Sequence, residues 1–204
     1  MNIIDFFDRG ATLYPQRTCL TDGELALSYS ETQAYTHRIA LALQAQQIGE
    51  GNKVAIYSPN HVMGFLSMLG IFRAGAVMVP INAKNGLEEN IHILQNTDVE
   101  WLFYHSCFEA VVTDILAKVP AIRDVVCVDK QGKSTPSLNV WCAGFDGKTK
   151  PLPENPSRLT ILSSTGGTTG QPKGVCATDR SLETMVACYL ASMPSDQPPV
   201  HLLV

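Results

Sequence analysis

The sequence predicts an α/β protein with a mainly parallel sheet and crossover helices, and three observations carry that prediction. Strand-like and helix-like segments alternate almost from the start of the 204-residue chain, as parallel strands joined by helices require. Successive units share no motif, so this is βα alternation and not a sequence repeat. Hydrophobic residues make up 45% of the chain and charged residues 17%, enough apolar material for the core of a globular protein.

Near the start, Cys19-Leu20-Thr21 and Leu25-Ala26-Leu27 flank Asp22-Gly23, whose glycine accepts the positive φ of a tight hairpin, and they read as a small β-ribbon. Ser30-Glu31-Thr32-Gln33 has the form of a capping box and Gly49 that of a C′ glycine, which predicts a helix over about 31–48 with Ile39, Leu41, Leu43 and Ile48 as its apolar positions. Val54 to Tyr57 reads as a short buried strand. Asn60 is placed to cap a helix running to about Arg73, and Ala76-Val77-Met78-Val79 is a second strand ended by Pro80.

The pattern then recurs. Glu88 to Gln95, with Ile91 and Leu94 one turn apart, leads into Trp101-Leu102-Phe103-Tyr104, and Phe108 to Val119 leads into Val125-Val126-Cys127-Val128. Over 129–158 the texture changes to prolines (136, 151, 153 and 156), glycines and polar residues around a brief apolar run, read as an irregular surface excursion with an edge strand near Leu138 to Cys142. Leu159-Thr160-Ile161-Leu162 forms the next strand. Thr178 or Asp179 caps a helix through about Ala191, and Pro198 to Val204 opens a strand that stops in mid-element, the expected mark of a chain cut from a longer one. The organisation is thus a βα-alternating part (1–128), the excursion (129–158) and a last part (159–204).

Several function classes are excluded. A formal net charge of -4 and no Lys/Arg run leave no field for nucleic acid. The acidic start Met1-Asn2-Ile3-Ile4-Asp5-Phe6-Phe7-Asp8 is unlike a secretory signal. No formal charge lies between Lys53 and Arg73, yet Ser58-Pro59-Asn60-His61 splits that run into strand and helix, so no transmembrane segment is expected. Six cysteines without a C-x-x-C pair read as reduced thiols of a cytoplasmic protein. His37, His61, His92, His105 and His201 lack ligand-like spacing and read as surface or satisfied core residues, so no metal site is expected; Glu88-Glu89 reads as a solvated first helical turn.

The most informative stretch is Ser163-Ser164-Thr165-Gly166-Gly167-Thr168-Thr169-Gly170-Gln171-Pro172-Lys173-Gly174, with four glycines, five hydroxyls and one lysine directly after an apolar strand. Glycines let backbone N–H groups converge on a bulky anion, hydroxyls add short donors, and lysine brings a mobile positive charge. The combination suits a polyphosphate, although a Gly/Thr surface loop has the same composition. It is not a Walker-type loop, because Lys173 precedes Gly174 and no Gly-Lys-Ser/Thr follows at the required spacing.

Thr165 to Val175 resembles the signature loop of the adenylate-forming (AMP-binding) superfamily, which includes acyl-CoA synthetases, adenylation domains of peptide synthetases and luciferases. Leu27-Ser28-Tyr29-Ser30-Glu31 is similar to that superfamily's early Leu-Thr-Tyr segment, and Phe72-Arg73-Ala74-Gly75-Ala76-Val77-Met78-Val79-Pro80-Ile81-Asn82 to its Lys/Arg-Ala-Gly-x-x-x-x-Pro segment. The resemblance implies the amino-terminal portion of the large ATP-binding domain. It also implies ATP-dependent activation of a carboxylic acid to an acyl-adenylate, followed by thioester formation with coenzyme A, with Mg2+ as cofactor. The family role of the loop, contact with the β- and γ-phosphates, falls on Thr165, Gly166, Gly167, Thr168, Thr169, Gly170 and Lys173. Gly166 departs from the serine of many members. Thr168 and Ile81-Asn82 lean toward an acyl-CoA ligase over an adenylation domain serving a carrier protein.

The family's adenine, magnesium and ribose segments, its hinge and its terminal lysine have no counterpart here, so the catalytic residues are expected beyond Val204 and the chain alone is expected to be inactive. An exposed apolar face is expected where the remainder would pack, with homodimerisation as its consequence. A non-catalytic nucleotide-binding or interaction module is the alternative.

Overall fold

The computed structural model describes residues 1–23, 25–164, 174–193 and 201. The chain starts with a helix that the sequence reading does not assign, α1 (Ile3–Leu13). The Asp5 carboxylate accepts the Asn2 amide at 2.8 Å to hold its first turn. Strands β1 (Thr18–Thr21) and β2 (Ala26–Ser28) pair antiparallel as the expected ribbon. Then follow α2 (Tyr29–Ala45), β3 (Lys53–Tyr57), α3 (Val62–Ala74), β4 (Val77–Ile81), α4 (Leu87–Asn96), β5 (Val99–Tyr104), a 3-10 turn (Ser106–Phe108) running into α5 (Glu109–Lys118), and β6 (Asp124–Cys127). The chain continues through α6 (Leu138–Cys142), β7 (Leu159–Ser164), β8 (Gly174–Thr178) and α7 (Asp179–Ser192).

The main sheet has the order β6-β5-β3-β4-β7-β8. Every pairing in it is parallel except β7 with β8. Successive residues of each strand feed opposite cores, because strand side chains alternate across the sheet. On one face Val54, Met78, Trp101, Phe103 and Val126 pack with Ile39 and Leu43 of α2 and Leu66 and Ile71 of α3. On the other Ala55, Val79, Leu102, Tyr104 and Val125 pack with Ile91 and Leu94 of α4 and Val112 and Ile115 of α5. Two covered faces explain the continuous apolar strands of the sequence. Gly70 sits where α3 crosses α2, and a Cβ there would come within 2.4 Å of the Ile39 side chain, so the crossing needs glycine.

Several local expectations are corrected. The capping box is Ser28 with Glu31, not Ser30 with Gln33: Ser28 Oγ accepts the Glu31 amide at 3.3 Å, and the Glu31 carboxylate accepts the Ser28 amide at 2.8 Å. Strand β2 runs straight into α2 with no linker, which moves the cap two residues earlier. Gly49 is not the C′ residue. Gln47 takes that place at φ 60°, and the Ile48 amide reaches back to the Leu43 carbonyl at 3.0 Å.

Asn60 does not cap α3; its neighbour His61 does, with Nδ1 accepting the Met63 amide at 3.2 Å. Pro80 lies inside β4 opposite Ile56 and does not end the strand. The β4–β7 ladder is short, with the single register pair Met78↔Ile161, so a residue without an N–H is tolerated beyond it. The expected edge strand at Leu138 to Cys142 is the helix α6. Leu138 and Cys142 are buried while Val140 is 63% exposed, and a one-sided strand would have buried all three. The expected final strand at Pro198 to Val204 lies outside the described residues, apart from His201.

Candidate functional site

In an open α/β sheet, ligands bind outside the carboxyl ends of the strands, where the chain switches direction. Strand β3 is that place here, with β4 on one side and β5 on the other, reached by helices on opposite faces. Strand β7 runs parallel to β4, so Ser163 and Ser164 end at the same edge as Tyr57, Ile81 and Tyr104. Strand β8 returns from that edge, and Ser164↔Gly174 is the last register pair of the hairpin. The glycine/threonine run therefore departs from and returns to the edge where α/β folds place their ligands. Thr165, Gly166, Gly167, Thr168, Thr169, Gly170 and Lys173 themselves lie outside the described residues.

The hairpin that frames the run is anchored at its base. Arg158, 3% exposed in its side chain, donates from Nη1 to the Asp179 carboxylate at 2.9 Å and to the Asn2 side-chain oxygen at 2.6 Å. The other Asp179 oxygen accepts the Thr160 hydroxyl at 3.1 Å and the Ile3 amide at 3.3 Å. One buried ion pair thus ties β7, α7 and the start of α1 together. Beside the neck of the hairpin, His92, Ile93, Asn96 and Thr97 of α4 line a cleft of about 80 Å3 with Leu162, Ser164 and Gly174. A larger groove of about 330 Å3 lies between α2 and Asp146-Gly147-Lys148.

The sheet edge carries a polar cluster that sequence spacing concealed. The rings of His61, after β3, and His105, after β5, stand edge to face at 5.0 Å, because β3 and β5 are neighbours in the sheet though distant in the chain. Asp129, after β6, accepts the Ser106 amide at 2.8 Å and the Ser106 hydroxyl at 2.6 Å. Burial raises the Asp129 carboxyl pKa, but the Ser106 donors outweigh it and hold the group below the usual carboxylate range. His37 is the satisfied core residue expected for a lone histidine: its Nδ1 accepts the Thr149 amide at 3.1 Å. Burial, helped by the nearby Arg73 charge, lowers its pKa to about 4. Among the described residues no three His, Cys, Asp or Glu converge to hold a metal ion.

The profile of the AMP-binding enzyme family matches residues 7–201. The chain belongs to the AMP-binding enzyme family. It is 28% identical over 184 residues to the medium/long-chain-fatty-acid–CoA/3-oxocholest-4-en-26-oate–CoA ligase of Mycobacterium marinum, covering 86% of this chain and 34% of that protein. The fold superposes on the anthranilate CoA ligase AuaEII in complex with anthranoyl-AMP with a TM-score of 0.85 at 20% identity, over 93% of this chain and 36% of that one. On the N-terminal domain of FACL13 from Mycobacterium tuberculosis the TM-score is 0.83 at 25% identity, over 95% and 48%. The AMP-binding chain described here spans about a third of the length of the curated relatives it matches, 34% and 32% in two of them.

Proposed function

We propose that this AMP-binding chain is the amino-terminal portion of the large ATP-binding domain of an acid:thiol ligase of the acyl-CoA synthetase type, acting in fatty acid metabolism in the cytoplasm. In the complete enzyme a carboxylate oxygen attacks the α-phosphorus of ATP and pyrophosphate leaves; the coenzyme A thiol then attacks the acyl carbon and AMP leaves. The observation that carries this reading is the match over residues 7–201 with the glycine/threonine run bracketed by Ser164↔Gly174 at the carboxyl edge of the sheet. Residues 1–128 supply the scaffold, 129–158 cover it, and 159–204 present the phosphate loop.

Within the loop, backbone N–H groups of Gly166, Gly167 and Gly170 and the hydroxyls of Thr165, Thr168 and Thr169 surround the β- and γ-phosphates, and Lys173 offsets the charge that develops on departing pyrophosphate. Mg2+ shields the triphosphate when bound; its protein ligands and the catalytic residues are assigned to the part of the enzyme beyond Val204. All six cysteines are free thiols, which supports a reducing compartment; no helix among the described residues is long and apolar enough to cross a membrane.

The test is adenylation by the complete enzyme carrying Lys173→Ala or Thr169→Val, compared with thioester formation from a supplied acyl-adenylate. Loss of a transition-state donor lowers adenylation turnover on the order of a hundredfold and leaves the second step unchanged. Wild-type adenylation in both variants would return the run to a surface loop. The 204-residue chain alone is expected to give no ATP–pyrophosphate exchange.

A further inference from the structure

The first turns of two helical segments at the carboxyl edge are each held by a histidine. Nδ1 of His61 accepts the Met63 amide at 3.2 Å, and Nδ1 of His105 accepts the Cys107 amide at 3.2 Å. An Nδ1 that accepts carries no proton, so the neutral ring bears its proton on Nε2. Each Nε2 faces a carboxylate: Asp22 at 3.8 Å from His61, and Asp129 at 3.6 Å from His105. Asp22 lies in the turn between β1 and β2, and Asp129 follows β6. With the two rings 5.0 Å apart, the four side chains run in a line from the ribbon, across the ends of β3 and β5, to the end of β6.

This geometry holds only while the rings are neutral. A protonated imidazole carries N–H on both nitrogens, so Nδ1 would confront the helix amide donor to donor and the cap would be lost. A charge on one ring also opposes a charge on the other. Around the pair, Asp129 from β6 favours protonation of His105 and Lys130 beside Asp129 disfavours it, while Asp22 from the ribbon stands 3.8 Å from His61. Asp129 already accepts from Ser106 and from the Cys127 thiol, at 3.3 Å to Sγ, which spends much of its capacity. Cys107 and Tyr57 flank the pair, with burial pushing both further toward their neutral forms. Burial lowers the His105 pKa, and Asp129 offsets part of that.

We propose that His61 and His105 form a proton-operated clasp on the carboxyl edge of the sheet. Neutral, they cap α3 and the segment leading into α5. On taking up a proton, either ring lets go of its helix end.

The test is amide hydrogen exchange between pH 7.5 and pH 5, corrected for the intrinsic rate. Opening at Met63 and Cys107 and through the turns they begin should rise about three- to tenfold, the size of one lost cap, while the amides of β3 and β5 stay protected. His61→Asn with His105→Asn keeps a neutral capping side chain, so the double variant should lose this pH dependence. Opening that does not change with pH in the wild type, or that changes equally in the variant, overturns the clasp. Should the variant fail to fold, nitrogen-15 spectra of the wild-type histidines decide: an unprotonated Nδ1 on both rings at pH 7.5 is required, and an Nδ1–H tautomer on either overturns it.

Discussion

Gln47 occupies a backbone position that ordinarily belongs to glycine. Its φ of 60° strains an L residue, yet its amide and that of Ile48 return to Gln44 and Leu43 at 2.9 and 3.0 Å and end α2 in a closed motif. Burial of Ile48, 1% exposed, holds the turn against that strain. Gln47→Gly should therefore stabilise the protein by about 0.5–1 kcal/mol, seen as a rise of about 1–4 °C in thermal midpoint; an unchanged or lower midpoint would show that the strain is absent. The end of α2 was misplaced from the sequence because Gly49, two residues on, carries the usual marker while the working residue does not. At the other end of α2 the capping chemistry was legible, and only its register was not.

At the scale of the element, the β7–β8 hairpin is tied to distant partners. Its base is the buried pair Arg158 and Asp179, whose side chains are 3% and 2% exposed, and Asp179 is also the first residue of α7. Removing one member leaves the other charged and buried, which costs about 3–5 kcal/mol. Asp179→Ala should lower stability by that amount in urea unfolding and detach the hairpin from α1. A loss within 0.5 kcal/mol, the usual range for a surface change, would show the pair to be solvated. The sequence marks Asp179 only as a candidate cap of α7, a place that Thr178 takes, and the pairing with Arg158 is not legible there, because an isolated Arg and an isolated Asp carry no periodic signal. Helix α6 was missed for a related reason: five residues around Val140 fit strand or helix equally, and the packing of Leu138 and Cys142 on the first core decides between them.

At the scale of the whole molecule, β8, the last strand of the sheet among the described residues, and α7 with its C-cap present Val175, Met185, Leu190 and Met193 at 50% exposure or more. Self-association through these side chains is the outcome we propose to test. Sedimentation velocity should show dimers or larger species of the 204-residue chain, shifted toward monomer by Met185→Lys with Leu190→Lys. A monodisperse wild-type monomer would remove the case for homodimerisation. Acid stability is a second global property. His37 is neutral in the fold with its pKa lowered to about 4, so it must take up a proton for which the unfolded chain competes better. Its contribution is present above about pH 6.5, the unfolded histidine value, and is lost as pH falls toward 4. Asp8, which Arg73 and Gln33 hold below the ordinary carboxylate range despite its burial, contributes only to further loss at lower pH. His37→Gln should flatten the stability profile between pH 6.5 and 4 and leave the lower limb unchanged; a profile identical to wild type would refute the assignment.

The sequence by itself determined the alternation of strands and helices, the assignment of Val54, Trp101 and Val125 to buried parallel strands, and the glycine/threonine run that marks the family. Each of these is written in local composition and period, which a single pass along the chain can read. Only the tertiary structure decided that β3 stands between β4 and β5, that β7 joins the parallel sheet and returns as β8, and that His61 meets His105. Strand order is set by which faces bury one another across the sheet, a long-range choice that leaves no periodic trace in the residues that make it.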